Sequence, residues 1–317
     1  MSFRMVLLPP NIGENWPAKI RAAVPGIHVE SFENPLDAAD AIVDADAAYG
    51  TIPRELLVKA KRLRWIAAPL AGLGGNWFYD ELVKSPIVVT NLRGIYNESL
   101  AHHIMAFVLA FAHRLDHYLP QQQARRWQRG PAMLDLSQKS ALIVGVGGAG
   151  AEAARLCAAF GMQVAGIDPR LKAPPQGMSA LATPDRLDAA LADADFIILT
   201  TPETPQTLRL FDAGRFAAMK RGAYFINIGR GACVITEDLV AALSSGQLAG
   251  AGLDVVTPEP LPADHPLWTM PGVLLTPHVA ILGAPYQPKR EAILLENCRR
   301  FARGETLINV VDKENWF

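Results

Sequence analysis

Three residues able to bind or move charge follow three apolar runs late in this 317-residue chain. They are Arg230 in Asn227-Ile228-Gly229-Arg230-Gly231, Glu259 five residues beyond Asp254, and His278 in Thr276-Pro277-His278. Each run reads as a β-strand, which puts these residues at strand carboxyl ends, the edge where ligands bind in open α/β sheets. Their chemistry is complementary. A 2-keto acid needs its carboxylate held and its carbonyl polarised, and a planar guanidinium does both. When hydride reaches the carbonyl carbon, a positioned acid must protonate the oxygen. His278 is the natural acid near neutral pH, with Glu259 to orient it. A lone histidine in a turn is more often a satisfied loop residue, so the reading rests on the ordered combination.

A second motif supplies the hydride carrier. Gly145-Val146-Gly147-Gly148-Ala149-Gly150 follows the apolar run Ala141-Leu142-Ile143-Val144 and opens a helical pattern. In such a turn Gly145 permits the tight bend, Gly147 lets a pyrophosphate approach the backbone, and Gly150 allows close helix–strand packing. The helix start adds unpaired N–H groups and a positive dipole end. The next strand ends in Asp168, eighteen residues past Gly150, placed to accept ribose hydroxyls. A carboxylate there favours NAD because it repels the extra phosphate of NADP. Arg170, two residues on, offers that phosphate a partner and keeps NADP as the alternative.

Composition bounds the setting. Half the residues are hydrophobic and 19% are charged, enough to bury a core and to exclude a disordered chain. Thirty basic and 31 acidic residues leave a net charge of −1, with no global pull towards nucleic acid or acidic membranes. The basic tract Arg125–Arg129 reads as a solvated helix end. The longest wholly apolar run, Ile104–Ala112, is nine residues, against the roughly 20 that span a bilayer. The opening Met1–Leu8 breaks at Pro9-Pro10 and has no signal-peptide core. Three distant cysteines, Cys157, Cys233 and Cys298, suit neither a disulfide framework nor a metal site. His113 and His117 have a metal-like spacing but no third ligand, and read as an exposed helix end; His265 reads as structural. The expectation is a cytoplasmic protein without metal, nucleic-acid or membrane partners.

The elements that must position these residues alternate. Short runs at Arg4–Leu8, Ile27–Glu30, Ala47–Tyr49, Trp65–Ala67 and Ile87–Val89 read as strands, separated by helix-like pieces such as Pro53–Lys61. A helix follows from about Leu100 to His117, with Ile104, Phe107, Val108, Phe111 and Leu115 on one face. A second alternation carries strands at Ala141–Gly145, Gln163–Asp168, Asp195–Thr200, Ala223–Ile228, Ala249–Val255 and Val273–Thr276. Near-continuous apolar strands imply parallel sheets covered on both faces. The expected fold is α/β, two Rossmann-like domains with doubly wound parallel sheets and an interdomain cleft. Residues 1–97 with 285–317 are assigned to a flavodoxin-like substrate domain, and 98–284 to the nucleotide domain.

Taken together, these motifs resemble the D-isomer-specific 2-hydroxyacid dehydrogenase family along almost the whole chain. The matching stretches are Gly145–Gly150 with Asp168, Thr201–Thr207, Asn227–Gly231, Gly252–Val255 through Glu259-Pro260-Leu261, and Thr276-Pro277-His278. The resemblance implies a catalytic Arg230–Glu259–His278 triad, Asp254 on the nicotinamide carboxamide, and Pro202, Thr207 and Ile228 lining the cofactor site. It also implies that backbone N–H groups of Leu70, Ala71 and Gly72 grip the substrate carboxylate, and that the chain forms a homodimer through its nucleotide domain. Trp127 then either packs locally or reaches a neighbouring subunit's site, as in some hydroxypyruvate reductases.

Three departures from the family stand out: Ala101-His102 where Ala-Glu is common, Val279–Gly283 after the histidine, and the bulky Trp77-Phe78. His102 reads as structural, and Trp77-Phe78 as core or pocket wall. Glu259 argues against a formate dehydrogenase, which pairs its His with Gln. A substrate loop without basic residues argues against phosphorylated acids. The implied activity is reduction of a small 2-keto acid such as glyoxylate or hydroxypyruvate; the alternative is a non-catalytic NAD-sensing corepressor-like binding protein.

Overall fold

A computed structural model describes residues 2–282 and 286–316, except the side chain of Asn76. Gly283, which closes the segment after His278, and the expected boundary at 284/285 lie outside the described residues. The chain divides into two compact units, Met1–Ile95 with Pro285–Phe317, and Tyr96–Ala284.

In the first unit, β1 (Arg4–Leu7), β2 (His28–Ser31), β3 (Ala47–Tyr49), β4 (Trp65–Ala67) and β5 (Val88–Thr90) form a sheet in the order β2-β1-β3-β4-β5. Every pairing in it is parallel. Strands β3 and β4 are wholly buried, which is why they lack the polar alternation of a half-exposed strand. Helices Trp16–Ala23 and Gln287–Arg303 cover one face through Trp16, Ile20, Leu294 and Cys298. On the other face, Phe78 stacks on Trp316 with ring centroids 5.7 Å apart, and Trp77 packs against the same apolar cluster. Trp77 and Phe78 are therefore core. The expected Pro53–Lys61 helix shortens to Arg54–Leu57, with Pro53 just before it.

The second unit holds β6 (Ser140–Val144), β7 (Gln163–Ile167), β8 (Ala180–Ala182), β9 (Phe196–Leu199), β10 (Ala223–Asn227), β11 (Leu248–Leu253) and β12 (Val273–Leu275), in the order β12-β11-β10-β9-β6-β7-β8. All its pairings are parallel. Neighbouring residues go to opposite faces: Ile143 and Ile198 pack under helices Asn97–Ala112 and Gly148–Ala159, while Leu142 and Ile197 meet the other apolar layer. The edge strand β8 is only three residues long, none of them buried, and escapes the sequence reading.

The expected Leu100–His117 helix is two helices, Asn97–Ala112 and Leu115–Gln123. Arg114 breaks it in the left-handed conformation (φ 61°), and its guanidinium reaches the Tyr224 hydroxyl at 2.6 Å and Asp116 at 3.3 Å. His113 closes the first helix and His117 lies on the second, so their spacing puts them on no common face. Arg125–Arg129 lie exposed beyond the second helix rather than forming its end. No helix among the described residues is long and apolar enough to cross a membrane.

Candidate active site

Strand β6 lies between β7 and β9, so the strand order reverses beside it and leaves a crevice at the carboxyl ends. The glycines of the following turn serve separate ends. Gly145 has φ 94°, and a side chain there would meet the Thr201 nitrogen at 2.9 Å. A methyl on Gly150 would fall on the Gly145 carbonyl oxygen, so this glycine holds the helix against the strand. At Gly147, which precedes the first helical residue, a methyl would meet nothing within 4 Å. That open face above a helix start fits a pyrophosphate. Gly148 packs against the side-chain amide of Asn97, a partner the sequence reading missed.

Asp168, just past β7, is 1% exposed. Its carboxylate accepts from the Val146 N–H at 3.0 Å, the Arg170 N–H at 2.9 Å and the Arg170 guanidinium at 3.1 and 3.2 Å. Burial pushes the carboxyl upward, but the hydrogen bonds and charge of Arg170 and the Val146 N–H outweigh it and hold Asp168 below the usual carboxylate range. The acid is thus tied into the glycine turn and paired with Arg170. Beyond β9, the Thr207 hydroxyl donates to the Pro202 carbonyl at 2.6 Å, and the Ile228 N–H to the Leu199 carbonyl at 3.1 Å. These bonds fix the segments expected to line the cofactor site.

His278 and Glu259 meet. His278 Nδ1 lies 2.9 Å from Glu259 Oε2, and the other Glu259 oxygen accepts from the Val256 N–H at 3.1 Å. With Nδ1–H donated to the carboxylate, Nε2 is the nitrogen left for a ligand. About half the imidazole surface is exposed (48%), which suits a group that must reach one. His278 is left-handed at φ 53°, a geometry that costs a non-glycine residue about 1–3 kcal/mol. Two bonds from its N–H hold it there, to the Asp254 carbonyl at 2.8 Å and the Thr276 carbonyl at 3.0 Å.

Asp254 holds the same loop with its carboxylate, accepting from the Thr276 hydroxyl at 2.7 Å and the N–H groups of Val279 and Ala280 at 2.9 and 3.2 Å. Arg230 is largely buried, and that burial pushes its guanidinium pKa down while the charges of Glu203 and Glu259 pull it back. The unit thereby brings a cation, a carboxylate and an imidazole into one electrostatic neighbourhood. Cys233, close by, has its thiol pushed up by burial and is a poor nucleophile.

In the first unit, the carbonyls of Leu70 and Ala71 are taken up by the Leu92 N–H at 3.0 Å and the Asn91 amide at 2.8 Å. The carbonyl side of the loop is turned into the domain. His102 is exposed, with Glu152 in its field. His103 beside it reaches Thr276 and Asp254, and the sequence reading passed over it. Its place on the helix face carrying Phe107 was the signal available.

Residues 105–280 match the family described as D-isomer specific 2-hydroxyacid dehydrogenase, NAD binding domain. Glyoxylate/hydroxypyruvate reductase A of Serratia proteamaculans is 30% identical over 312 residues, covering 94% of this chain and 95% of that protein. Among solved structures, a D-isomer specific 2-hydroxyacid dehydrogenase of Xanthobacter autotrophicus Py2 in complex with NADPH and MES superposes with a TM-score of 0.86 at 29% identity, over all of both chains. An NADPH-dependent glyoxylate/hydroxypyruvate reductase of Sinorhizobium meliloti, in complex with NADP and sulfate, gives 0.84 at 26% identity over 99% of this chain and 100% of that one. The chain belongs to the D-isomer specific 2-hydroxyacid dehydrogenase family. It is an oxidoreductase with a site for a nicotinamide dinucleotide.

The two glycine roles separate by mutation. Gly150→Ala should lower unfolding stability by about 1–3 kcal/mol in urea titration, because the turn must open around the methyl. Gly147→Ala should leave the urea midpoint close to wild type and weaken dinucleotide binding at least about tenfold in a calorimetric titration, since its methyl stands where only ligand comes.

Proposed function

We propose that the chain is a 2-keto acid reductase acting on small unphosphorylated acids of the glyoxylate and hydroxypyruvate class. The observation that carries this reading is the 2.9 Å contact of His278 Nδ1 with Glu259, on loops leaving the sheet edge that bears the glycine turn. When bound, the reduced dinucleotide supplies the hydride. Glu259 holds the imidazole in one orientation, His278 Nε2 delivers the proton to the carbonyl oxygen, and Arg230 binds the carboxylate and polarises the carbonyl. Main-chain N–H groups of Leu70, Ala71 and Gly72 add to the grip on the carboxylate. Gly145, Gly147, Gly148, Gly150, Pro202, Thr207, Ile228 and Asp254 serve the dinucleotide. In this reading residues 1–97 with 285–317 are the substrate domain and 98–284 the nucleotide domain, in a cytoplasmic enzyme. The reductase relatives do not favour a non-catalytic NAD-sensing corepressor.

The test follows NADH and NADPH oxidation against glyoxylate, hydroxypyruvate, pyruvate and phenylpyruvate. Turnover is expected with at least one, and His278→Ala should lower kcat about 10²–10⁴-fold. Wild-type turnover in that variant would remove His278 from the mechanism.

We further propose that the site takes NAD(H) and admits NADP(H) through Arg170, whose guanidinium neutralises Asp168 and is 43% exposed. Arg170→Ala should lower kcat/KM for NADPH about 10–100-fold, the scale of a charged hydrogen bond, with NADH changed less than about threefold. Equal losses with both cofactors would reject the role.

We also propose a homodimer through the second unit. Trp127 is fully exposed, and Leu115, Leu119 and Met133 are 44%, 46% and 64% exposed nearby in sequence, an apolar surface that suits a second copy. Sedimentation equilibrium should give twice the chain mass for wild type and a weakened dimer for Trp127→Glu. A monomeric wild type would reject the dimer.

A further inference from the structure

His103 sits on the buried side of the Asn97–Ala112 helix, its ring edge-on to Phe107 at 5.0 Å and its side chain 20% exposed. Its Nε2 lies 2.9 Å from the Thr276 hydroxyl oxygen and 3.6 Å from Asp254 Oδ1. The direction of these bonds follows from proton counting. The Thr276 hydroxyl has one hydrogen, and at 2.7 Å the Asp254 carboxylate takes it. The Thr276 oxygen can then only accept, so His103 must donate from Nε2–H. A chain of hydrogen bonds runs from His103 through Thr276 to Asp254 Oδ1, which also holds the Val279 N–H, while Oδ2 holds that of Ala280. Those N–H groups directly follow His278, whose own N–H is on the Asp254 carbonyl.

We propose that His103 is a positioning residue for catalysis: through Thr276 it locks the Asp254 carboxylate, and so the left-handed turn that aims His278 at Glu259. Asp254 is 3% exposed, where an under-coordinated carboxylate is costly and its rotamer depends on its donors. The turn is strained and persists only while those bonds over-determine it. His103 fixes the end of the chain farthest from the reacting atoms, anchoring the loop to a helix rather than to another loop.

This inference rests on the proposed role of His278, and the experiment separates the two. His103→Phe fills the space and keeps the ring contact with Phe107, but removes the donor. It should lower kcat about 10–100-fold, the cost of a misplaced reacting group, with KM for the keto acid changed less than about threefold. His103→Gln keeps an N–H donor and should recover most of that kcat. Thr276→Val should match His103→Phe, and the double variant should lose no more than either alone, since both break one chain.

A second readout needs no cofactor. In the histidine-15N-labelled protein, the downfield proton on His278 Nδ1 should shift or broaden in His103→Phe and return in His103→Gln. Full kcat and an unmoved His278 signal in His103→Phe, or additive losses in the double variant, overturn the proposal. If His103→Phe does not fold, Thr276→Val and His103→Gln carry the same comparison. His278→Asn is the control. If it retains wild-type kcat, the proposed mechanism falls; if it is inactive while His103→Phe is fully active, only the role of His103 falls.

Discussion

Seven parallel strands must all finish on one edge of their sheet, and in this chain they finish level. Val144 pairs with Ile167 and with Leu199, Leu199 with Asn227, Asn227 with Leu253, and Leu253 with Leu275. The terminal residues of six strands are therefore in register across the sheet. Each is followed within a few residues by a group assigned to the site in the proposed function: Gly145, Asp168, Pro202, Ile228 with Arg230, Asp254, and His278. The backbone ladder sets these groups side by side, although 133 residues separate the first from the last. Reversal of strand order beside β6 then opens the glycine turn instead of covering it with the next crossover.

Register alone would leave six flexible loops at that edge. Buried polar side chains stiffen them. Asp168, Asn227 and Asp254 are each 3% exposed or less, and each spends its side chain on backbone groups of the segments just described. Asp168 takes the Val146 N–H. Asn227 accepts from the Gly229 N–H at 3.0 Å and donates to the Arg230 carbonyl at 3.1 Å. Asp254 takes two N–H groups after His278. A buried polar group must find partners, and these find them only when the loops hold one shape. Burial thus converts a stability requirement into preorganisation of the site.

Much of this was legible in the sequence because it is local. Largely apolar runs marked eleven of the twelve strands, missing only the Ala180–Ala182 edge, a three-residue strand with no buried residue. The glycine turn was legible because backbone geometry restricts what can stand there. Contacts between distant segments were not. Helical periodicity runs unbroken through His113, and only the Arg114 side chain reaching Tyr224 across 110 residues shows why the helix must stop. His102 and His103 are adjacent, yet one is exposed and the other meets Thr276 across 173 residues. Asp168 could be recognised as the acid after β7, but not that Arg170 closes on it, which changes the net charge at the end of that strand.

Arg230 shows what the buried edge would contribute to the anion binding proposed for it. Its backbone is extended where it leaves β10, and its Nη1 donates to the Gly229 carbonyl at 2.7 Å, so the guanidinium is directed by its own loop. Burial weakens its hold on a proton, yet a guanidinium stays protonated in proteins. In the proposed role the cation is kept where water screens it less, which strengthens its attraction for an incoming carboxylate relative to an exposed arginine. Glu203 and Glu259 lie within its field and offset the burial. An anionic substrate adds to that compensation, whereas a neutral analogue desolvates the cation further without doing so. In the proposed role of Arg230, selection for an acid follows from the burial of that residue, before the shape of the pocket is considered.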